Sequence, residues 1–205
     1  MKILVTGFEP FGESRINPSQ MLVKTLSETH DPQVTLVTAV LPVDQAAAPD
    51  MMQALIGRHQ PEAILAFGLA MGRSKISLER VALNLKDFRI PDNQGVTITD
   101  QPIHPQGPPA YYSTLPLQPM LSALVAVGIP AELSLSAGAY LCNLVFYTMM
   151  HTLALSSPGT ASGFIHLPAL PEQAAQADKP LPSMDFSLMQ KAAHILLNEL
   201  AVSLK

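Results

Sequence analysis

An α/β sandwich around a largely parallel sheet is the fold this sequence predicts, and three observations lead there. Strand-length apolar stretches alternate with helix-length stretches along the whole chain. The first of them, Lys2–Thr6, reads as a buried strand, as expected where both faces of a sheet are covered. From Leu133 to Pro171 there is no Asp, Glu, Lys or Arg, which marks the middle of a fold. Asn143, Thr148, His151, Ser156, Ser157, Pro158 and Gly159 interrupt that stretch, so no run of about 20 apolar residues survives to span a membrane.

The elements follow in order. After the first strand, Asn17-Pro18-Ser19-Gln20 supplies an N-cap, a proline at the first helical position and a capping-box glutamine, leading into helical Met21, Leu22, Thr25 and Leu26. Val34–Leu41 is the next strand. A helix from Asp44 to Arg58 follows, kinked by Pro49 or starting later because of it. Ala63–Phe67 is a third apolar strand. Pro102, Pro105, Pro108, Pro109, Pro116 and Pro119 make the stretch from Gln101 to Pro119 an irregular surface excursion. Leu115–Val127 is a helix closed by Gly128, Ala131–Leu135 a strand and Leu141–Leu155 a helix. The strand Ser162–Ile165 and an amphipathic helix from Met184 to Leu204 end the chain. No repeat or linker divides it, so 1–205 reads as one domain.

With 205 residues, 48% hydrophobic and only 14% charged, the chain can bury a sizeable core and part of an oligomer interface. A net charge of −4 without any Lys/Arg run argues against nucleic acid or an anionic membrane as partner. One cysteine cannot form an internal disulfide, which suits a reducing cytoplasm. The apolar run after Met1 is too short for a signal peptide.

That cysteine, Cys142, sits where a short strand runs through a small-residue turn (Ser136-Ala137-Gly138-Ala139) into a helix. A thiol in the first turn of a helix feels the positive end of the dipole and unpaired N–H groups, which favour thiolate and could receive an oxyanion. The competing reading is a small buried hydrophobe. Gly7-Phe8-Glu9-Pro10-Phe11-Gly12-Glu13-Ser14 has the spacing of a phosphate-binding loop, but Glu13 occupies the lysine position and Glu9 lies inside the loop, so a nucleotide would be repelled. What remains is a strand-end loop presenting Phe8 and Phe11 to a flat neutral group or to the core edge.

A cysteine nucleophile needs a base and a group to orient it. His151 lies about 180° around the helix from Cys142 and cannot face it. His30 and His59 fall near helix C-termini, His194 lies midway along the last helix, and His104 lies in the proline-rich excursion, where it stays open. His166, ending a strand one step on from the cysteine helix, is the best placed. In Ile76–Leu85, alternation puts Glu79 on the face of Val81, Leu83 and Leu85, where a carboxylate must be paired. Arg73, Arg80 and His166 are all candidate partners. Zinc-type ligand spacing is absent, so no metal and no cofactor is expected.

These residues resemble the pyroglutamyl peptidases, or pyrrolidone-carboxylate peptidases, over nearly the whole chain. The matching motifs are Thr6-Gly7-Phe8-Glu9-Pro10-Phe11-Gly12 with Asn17-Pro18, Gly72-Arg73 leading to Glu79-Arg80-Val81-Ala82, and Arg89-Ile90-Pro91-Asp92-Asn93. Ala110-Tyr111, Ser113-Thr114-Leu115-Pro116, Ala137-Gly138 before Cys142-Asn143, and Gly163-Phe164-Ile165-His166 with Pro171-Glu172-Gln173 complete the set. The resemblance implies a cytoplasmic cysteine peptidase that removes an N-terminal pyroglutamyl residue from peptides through a thioester. It implies a three-layer α/β/α sandwich with a mixed, largely parallel sheet, assembled as a homotetramer or dimer. By motif it implies Glu79, Cys142 and His166 as the triad, with Phe8, Phe11, Asn17, Leu69 and Arg89 at the substrate. Leu69 stands where many members have Gln, and Ala139 where many have Thr. A non-catalytic small-molecule binder on the same scaffold is the alternative.

Overall fold

The computed structural model describes residues 1–28 and 34–204. Strand β1 (Lys2–Phe8) extends past the predicted Thr6 and pairs along its length with β2 (Thr35–Leu41). Between them α1 (Pro18–Ser27) starts as the sequence indicates. Asn17 Oδ1 accepts from the Ser19 N–H at 3.0 Å, and Pro18 occupies a position where a missing N–H costs nothing. Helix α2 (Ala47–His59) starts later than Asp44, whose Oδ1 accepts from the Ala46 and Ala47 N–H groups just before it. Pro49 therefore falls in the first turn and produces no break.

Strand β3 (Ala63–Leu69) follows, and then the predicted alternating run from Ile76 to Leu85 divides. Strand β4 (Ile76–Glu79) joins the main sheet, whereas β5 (Val81–Leu83) leaves it at Arg80 and pairs with β6 (Ala110–Tyr112) in a separate ribbon. Glu79 thus does not belong to the face of Val81, Leu83 and Leu85. Within β4 it lies opposite Ile76 and Leu78, which enter the apolar core on the other side of the sheet. The remaining elements are α3 (Leu117–Ala126), β7 (Ala131–Ser134), α4 (Leu141–Ser156), β8 (Ala161–Leu167), the short α5 (Pro171–Ala175) and α6 (Phe186–Ser203). The proline-rich excursion is thus less irregular than expected, since β6 and the start of α3 lie within it. Of the histidines, His30 lies outside the described residues.

The main sheet has the order β2-β1-β3-β8-β4-β7. Strands β2, β1, β3 and β8 run one way; β4 is antiparallel to β8, and β7 parallel to β4. The reversal has a simple cause. A parallel crossover needs a dozen or more residues, and the segment Ala70–Lys75 joining β3 to β4 is far shorter. Helices α1, α3 and α6 cover the face carrying Ile3, Val5, Leu65, Phe67 and Ile165. Helices α2 and α4 cover the face carrying Leu4, Ile64, Ala66 and Phe164, which completes the three layers. Every residue of β3 and β8 is buried; β3 reads as a continuous apolar run, and β8 adds buried Ser162 and His166 to one. Among the described residues no helix is long and apolar enough to cross a membrane.

Asn17 offers a test of how the first strand is tied to its helix. Its amide also accepts from Ser19 Oγ at 2.8 Å and donates to the Glu9 carbonyl at 3.0 Å, all without exposure to solvent. Asn17→Ala strands these groups and is expected to cost about 2 kcal/mol, seen as a lower urea midpoint at constant slope. An unchanged midpoint would mean that water takes over the amide's bonds.

Candidate active site

His166 is the penultimate residue of β8, inside the strand rather than at its end. In the antiparallel ladder it stands opposite Ser77, and Glu79 stands opposite Phe164. The two are therefore diagonal neighbours on one face, a separation that a glutamate and an imidazole can bridge. His166 Nδ1 and Glu79 Oε1 lie 2.7 Å apart, with exposures of 3% and 0%. Arg73, from the turn between β3 and β4, donates through Nη1 to the same Oε1 at 2.6 Å. Its Nη2 donates to the Ser136 carbonyl at 2.7 Å, and Nη1 also reaches Ser134 Oγ at 3.4 Å. Glu79 Oε2 has no hydrogen-bond partner among the described residues. Of the three partners open to Glu79, the structure brings in two, His166 and Arg73, on one oxygen.

The electrostatics separate the roles. Burial pulls the Glu79 carboxyl up, but the His166 hydrogen bond and charge, with Ser134 and Arg73 behind them, hold it below its ordinary value. Burial drives the His166 imidazole down, outweighing the hydrogen bond and charge of Glu79, and Arg73 adds to the depression. A neutral imidazole facing a carboxylate donates its Nδ1–H to Oε1, which leaves Nε2 as the proton acceptor.

Cys142 is the second residue of α4. The chain reaches it through Ser136–Ala139, where Gly138 has φ 77°, a conformation glycine adopts without strain. The N-cap residue Tyr140 is extended and makes no side-chain cap, and the first intrahelical bond is Leu144 N–H to Tyr140 C=O at 3.0 Å. The amides of the first turn accordingly have no helical acceptor. A Cβ on Gly68 would lie 2.8 Å from Cys142 Sγ and 2.8 Å from Phe164 Cζ. Gly68 is the ladder partner of His166. The thiol thus rests on bare backbone about one strand spacing, ~4.8 Å, from the histidine's own strand.

The expected thiolate is not what this setting stabilises. Burial first, and the Glu79 charge second, push the Cys142 thiol up to about 12. Arg73 and the residue's own N–H pull the other way and lose, because partial charges at a helix end offset only part of a desolvation cost. Thiol and imidazole are both neutral at rest.

Around this centre, Asp92 and Asn93 knit two loops together. Asp92 Oδ1 accepts from the Gln94 and Val96 N–H groups, and its Oδ2 from Gln45 N–H. Asn93 donates to Glu9 Oε1 at 2.9 Å and to the Pro10 carbonyl at 3.0 Å. Glu9, the residue that argues against a phosphate loop, is thus a brace. Phe11 packs on Tyr140 with ring centroids 6.1 Å apart, and Tyr140 meets Phe88 edge-on at 4.9 Å. Phe8 instead lies in the core against Phe164. Leu69 is buried at the end of β3, Asn17 caps α1 through its amide oxygen and donates to the Glu9 carbonyl, and Arg89 is exposed. Tyr140 and Arg73 are the members that the sequence does not single out. The position of Tyr140, two residues before the cysteine, is the one signal for it. Arg73 reads from the sequence only as one of three cations that Glu79 could meet.

The other histidines lie elsewhere. The rings of His151 and His104 lie tilted with centroids 4.3 Å apart, and Tyr111 Oη lies 2.8 Å from His151 Nδ1. His59 ends α2 and His194 is exposed on α6. Among the described residues no cluster of three or more His, Cys, Asp or Glu could hold a metal.

A family model of pyroglutamyl peptidases matches residues 1–201. The pyrrolidone-carboxylate peptidase of Coprothermobacter proteolyticus is 42% identical over 204 residues, covering 100% of this chain and 99% of that one. That of Vibrio vulnificus is 45% identical over 184 residues, covering 90% and 86%. A variant of the pyrrolidone carboxyl peptidase of the hyperthermophile Pyrococcus furiosus superposes with a TM-score of 0.97 at 40% identity, covering 100% of both chains.

The contact between Gly68 and the thiol can be tested without any substrate. Gly68→Ala is expected to cost about 2 kcal/mol and to lift Cys142 off the sheet. Iodoacetamide should then alkylate it faster, and with one cysteine in the chain the label has a single address. Unaltered stability and labelling would mean that the thiol does not rest there.

Proposed function

The chain belongs to the pyroglutamyl peptidase family and is a peptide hydrolase; on that premise we propose that it releases N-terminal pyroglutamate from peptides through Cys142, His166 and Glu79. The observation that carries this reading is the buried 2.7 Å Glu79–His166 pair, with Cys142 seated over the ladder partner of that histidine.

Cys142 Sγ attacks the pyroglutamyl carbonyl carbon while its proton passes to His166 Nε2. Glu79 holds the imidazole in the tautomer that can accept it and stabilises the imidazolium that forms. The oxyanion forms in reach of the unpaired amides at the start of α4. Collapse breaks the C–N bond, His166 returns the proton to the departing amine, and a thioester remains. Water then attacks it with His166 as base, releasing pyroglutamate and restoring the thiol. Starting from neutral partners means that no thiolate is exposed until substrate has covered it. The lactam would lie against Phe11 and Tyr140, because a flat neutral ring suits aromatic faces and backbone polar groups. Arg89, Asn17, Phe8 and Leu69 would support the pocket through the loops and strand end they occupy. The reading includes one domain over 1–205, a reducing cytoplasmic setting suited to a lone thiol, and homo-oligomeric assembly.

Hydrolysis of a pyroglutamyl amide, with prolyl and glutaminyl amides alongside, is the test. Only the first should turn over, Cys142→Ala should abolish it, and Glu79→Gln should lower kcat by about 10³-fold or more. No turnover by the intact folded protein would favour the non-catalytic binder.

The pH profile follows from the direction of the His166 shift. His166 must be neutral to take the thiol's proton, and burial disfavours its charged form. The acid limb of kcat/KM should therefore lie below the ordinary imidazole value of 6.5, activity being lost only as pH falls past it. Without substrate, iodoacetamide alkylation should keep rising beyond about pH 9, as befits a thiol near 12. An acid limb above 6.5, or an alkylation plateau near neutrality, would contradict the neutral resting pair.

A further inference from the structure

We propose that Arg73 is a positioning residue of this reaction, the counter-charge that lets Glu79 orient His166 without keeping it protonated. The proposal rests on the Cys142–His166–Glu79 reading and adds to it a fourth member that touches neither substrate nor reacting atoms.

The buried pair contains a conflict. A fully buried carboxylate needs a cation or several strong donors, and Glu79 has no exposure. Were His166 its sole partner, only burial would oppose the pull of the Glu79 hydrogen bond and charge toward imidazolium, and a protonated histidine cannot act as base. Arg73 resolves this by supplying a permanent positive charge at 2.6 Å from the oxygen that His166 binds. Both donors converge on Oε1 while Oε2 has none among the described residues, so they share one charge and do not divide the carboxylate between its two atoms.

The groups facing His166 from each packed element agree with this. β4 contributes Glu79 and the β3–β4 turn Arg73, while Cys142 of α4 lies over the strand next to that of His166. β3 contributes Gly68, with no side chain, and Phe164 of its own strand is apolar. Arg73 is thus the sole cation in that set. Its second donor group binds the Ser136 carbonyl at 2.7 Å, at the entrance to the turn that leads through Gly138 to Cys142. One planar guanidinium ties the carboxylate to the segment delivering the nucleophile, and a lysine could copy the charge but not the fork.

Arg73→Met and Arg73→Lys separate the two functions. Two readouts are taken on each: the pH profile of pyroglutamyl amide hydrolysis, and the titration of His166 by NMR of ¹⁵N-histidine protein, assigned with His166→Gln. Arg73→Met is expected to raise both the His166 titration and the acid limb of kcat/KM by about one pH unit. On the acid side this is about a tenfold loss of rate. Arg73→Lys should leave both where they were while lowering kcat several-fold with little change in KM. A folded Arg73→Met with wild-type titration overturns the proposal, as does a lysine variant shifted as far as the methionine one. Should Arg73→Met not fold, Arg73→Gln is read in its place: a His166 titration raised above that of the wild type supports the counter-charge, and an unshifted one overturns it. The NMR readout needs no substrate, so a failure of the peptidase reading would leave it interpretable.

Discussion

A carboxylate with no solvent exposure on the inner face of a sheet is the constraint around which this molecule is arranged. Taking such an ion out of water costs several kcal/mol unless its surroundings compensate it. The compensation for Glu79 comes from β8 through His166, from the β3–β4 turn through Arg73, and from the end of β7 through Ser134. None of these is near Glu79 along a shared element. The antiparallel insertion of β4 between β8 and β7 brings them to one place. The short Ala70–Lys75 connection that forces this reversal also carries Arg73. One topological feature thus supplies both the acid's position and its counter-ion.

Much of the fold can be read from the chain because its strands and helices carry strong, unambiguous periods. β1, β3 and β8 are buried on both faces and read as largely apolar runs, and α1 and α6 have clear starts at Asn17 and near Asp185. What the sequence hides is short or set by tertiary context. The break at Arg80 shows in Ile76–Leu85 only as a slip of phase, from apolar Ile76 and Leu78 to apolar Val81, Leu83 and Leu85, which a reading of one continuous strand passes over. Asn143 helps hold β5 apart in its ribbon with β6, its amide clamping Leu83 N–H, Leu83 C=O and Leu85 C=O within 2.9 Å. β6 hides among prolines because it occupies only Ala110–Tyr112.

The site is legible in the sequence to a different depth for each residue. Cys142 and His166 stand out because a thiol after a small-residue turn and a histidine in a charge-free strand are unusual placements for reactive groups. Reading Ile76–Leu85 as one strand across the break at Arg80 puts Glu79 on the wrong face, although its need for a partner is sound. Helix position alone suggests a thiolate. That expectation fails because burial and a neighbouring carboxylate act on the same thiol, with a larger combined effect than the first-turn amides. Only the folded arrangement decides such a balance. Nor can any spacing reveal that Arg73 and His166 meet on a single oxygen.

The carboxylates around the ring cluster bear on what the proposed pocket selects. Glu9 Oε1 is taken by Val43 N–H and Asn93, Asp92 by three backbone amides, and Glu79 by His166 and Arg73. Each acid is engaged in holding a loop or a base. A free α-ammonium pressed against Phe11 and Tyr140 would shed its hydration, a cost of several kcal/mol unless a carboxylate pairs with it. A lactam gives up only ordinary hydrogen bonds, each worth about 1 kcal/mol net and replaceable by backbone groups. Preference for a blocked N-terminus then needs no device that recognises the ring strongly. It follows from committing the nearby negative charges to the protein's own architecture, so that the competing amine is penalised more than the lactam is rewarded. The buried pair that drives the proposed chemistry acts in the same direction, since Glu79 is paired with His166 and Arg73 and has no exposure to a substrate amine.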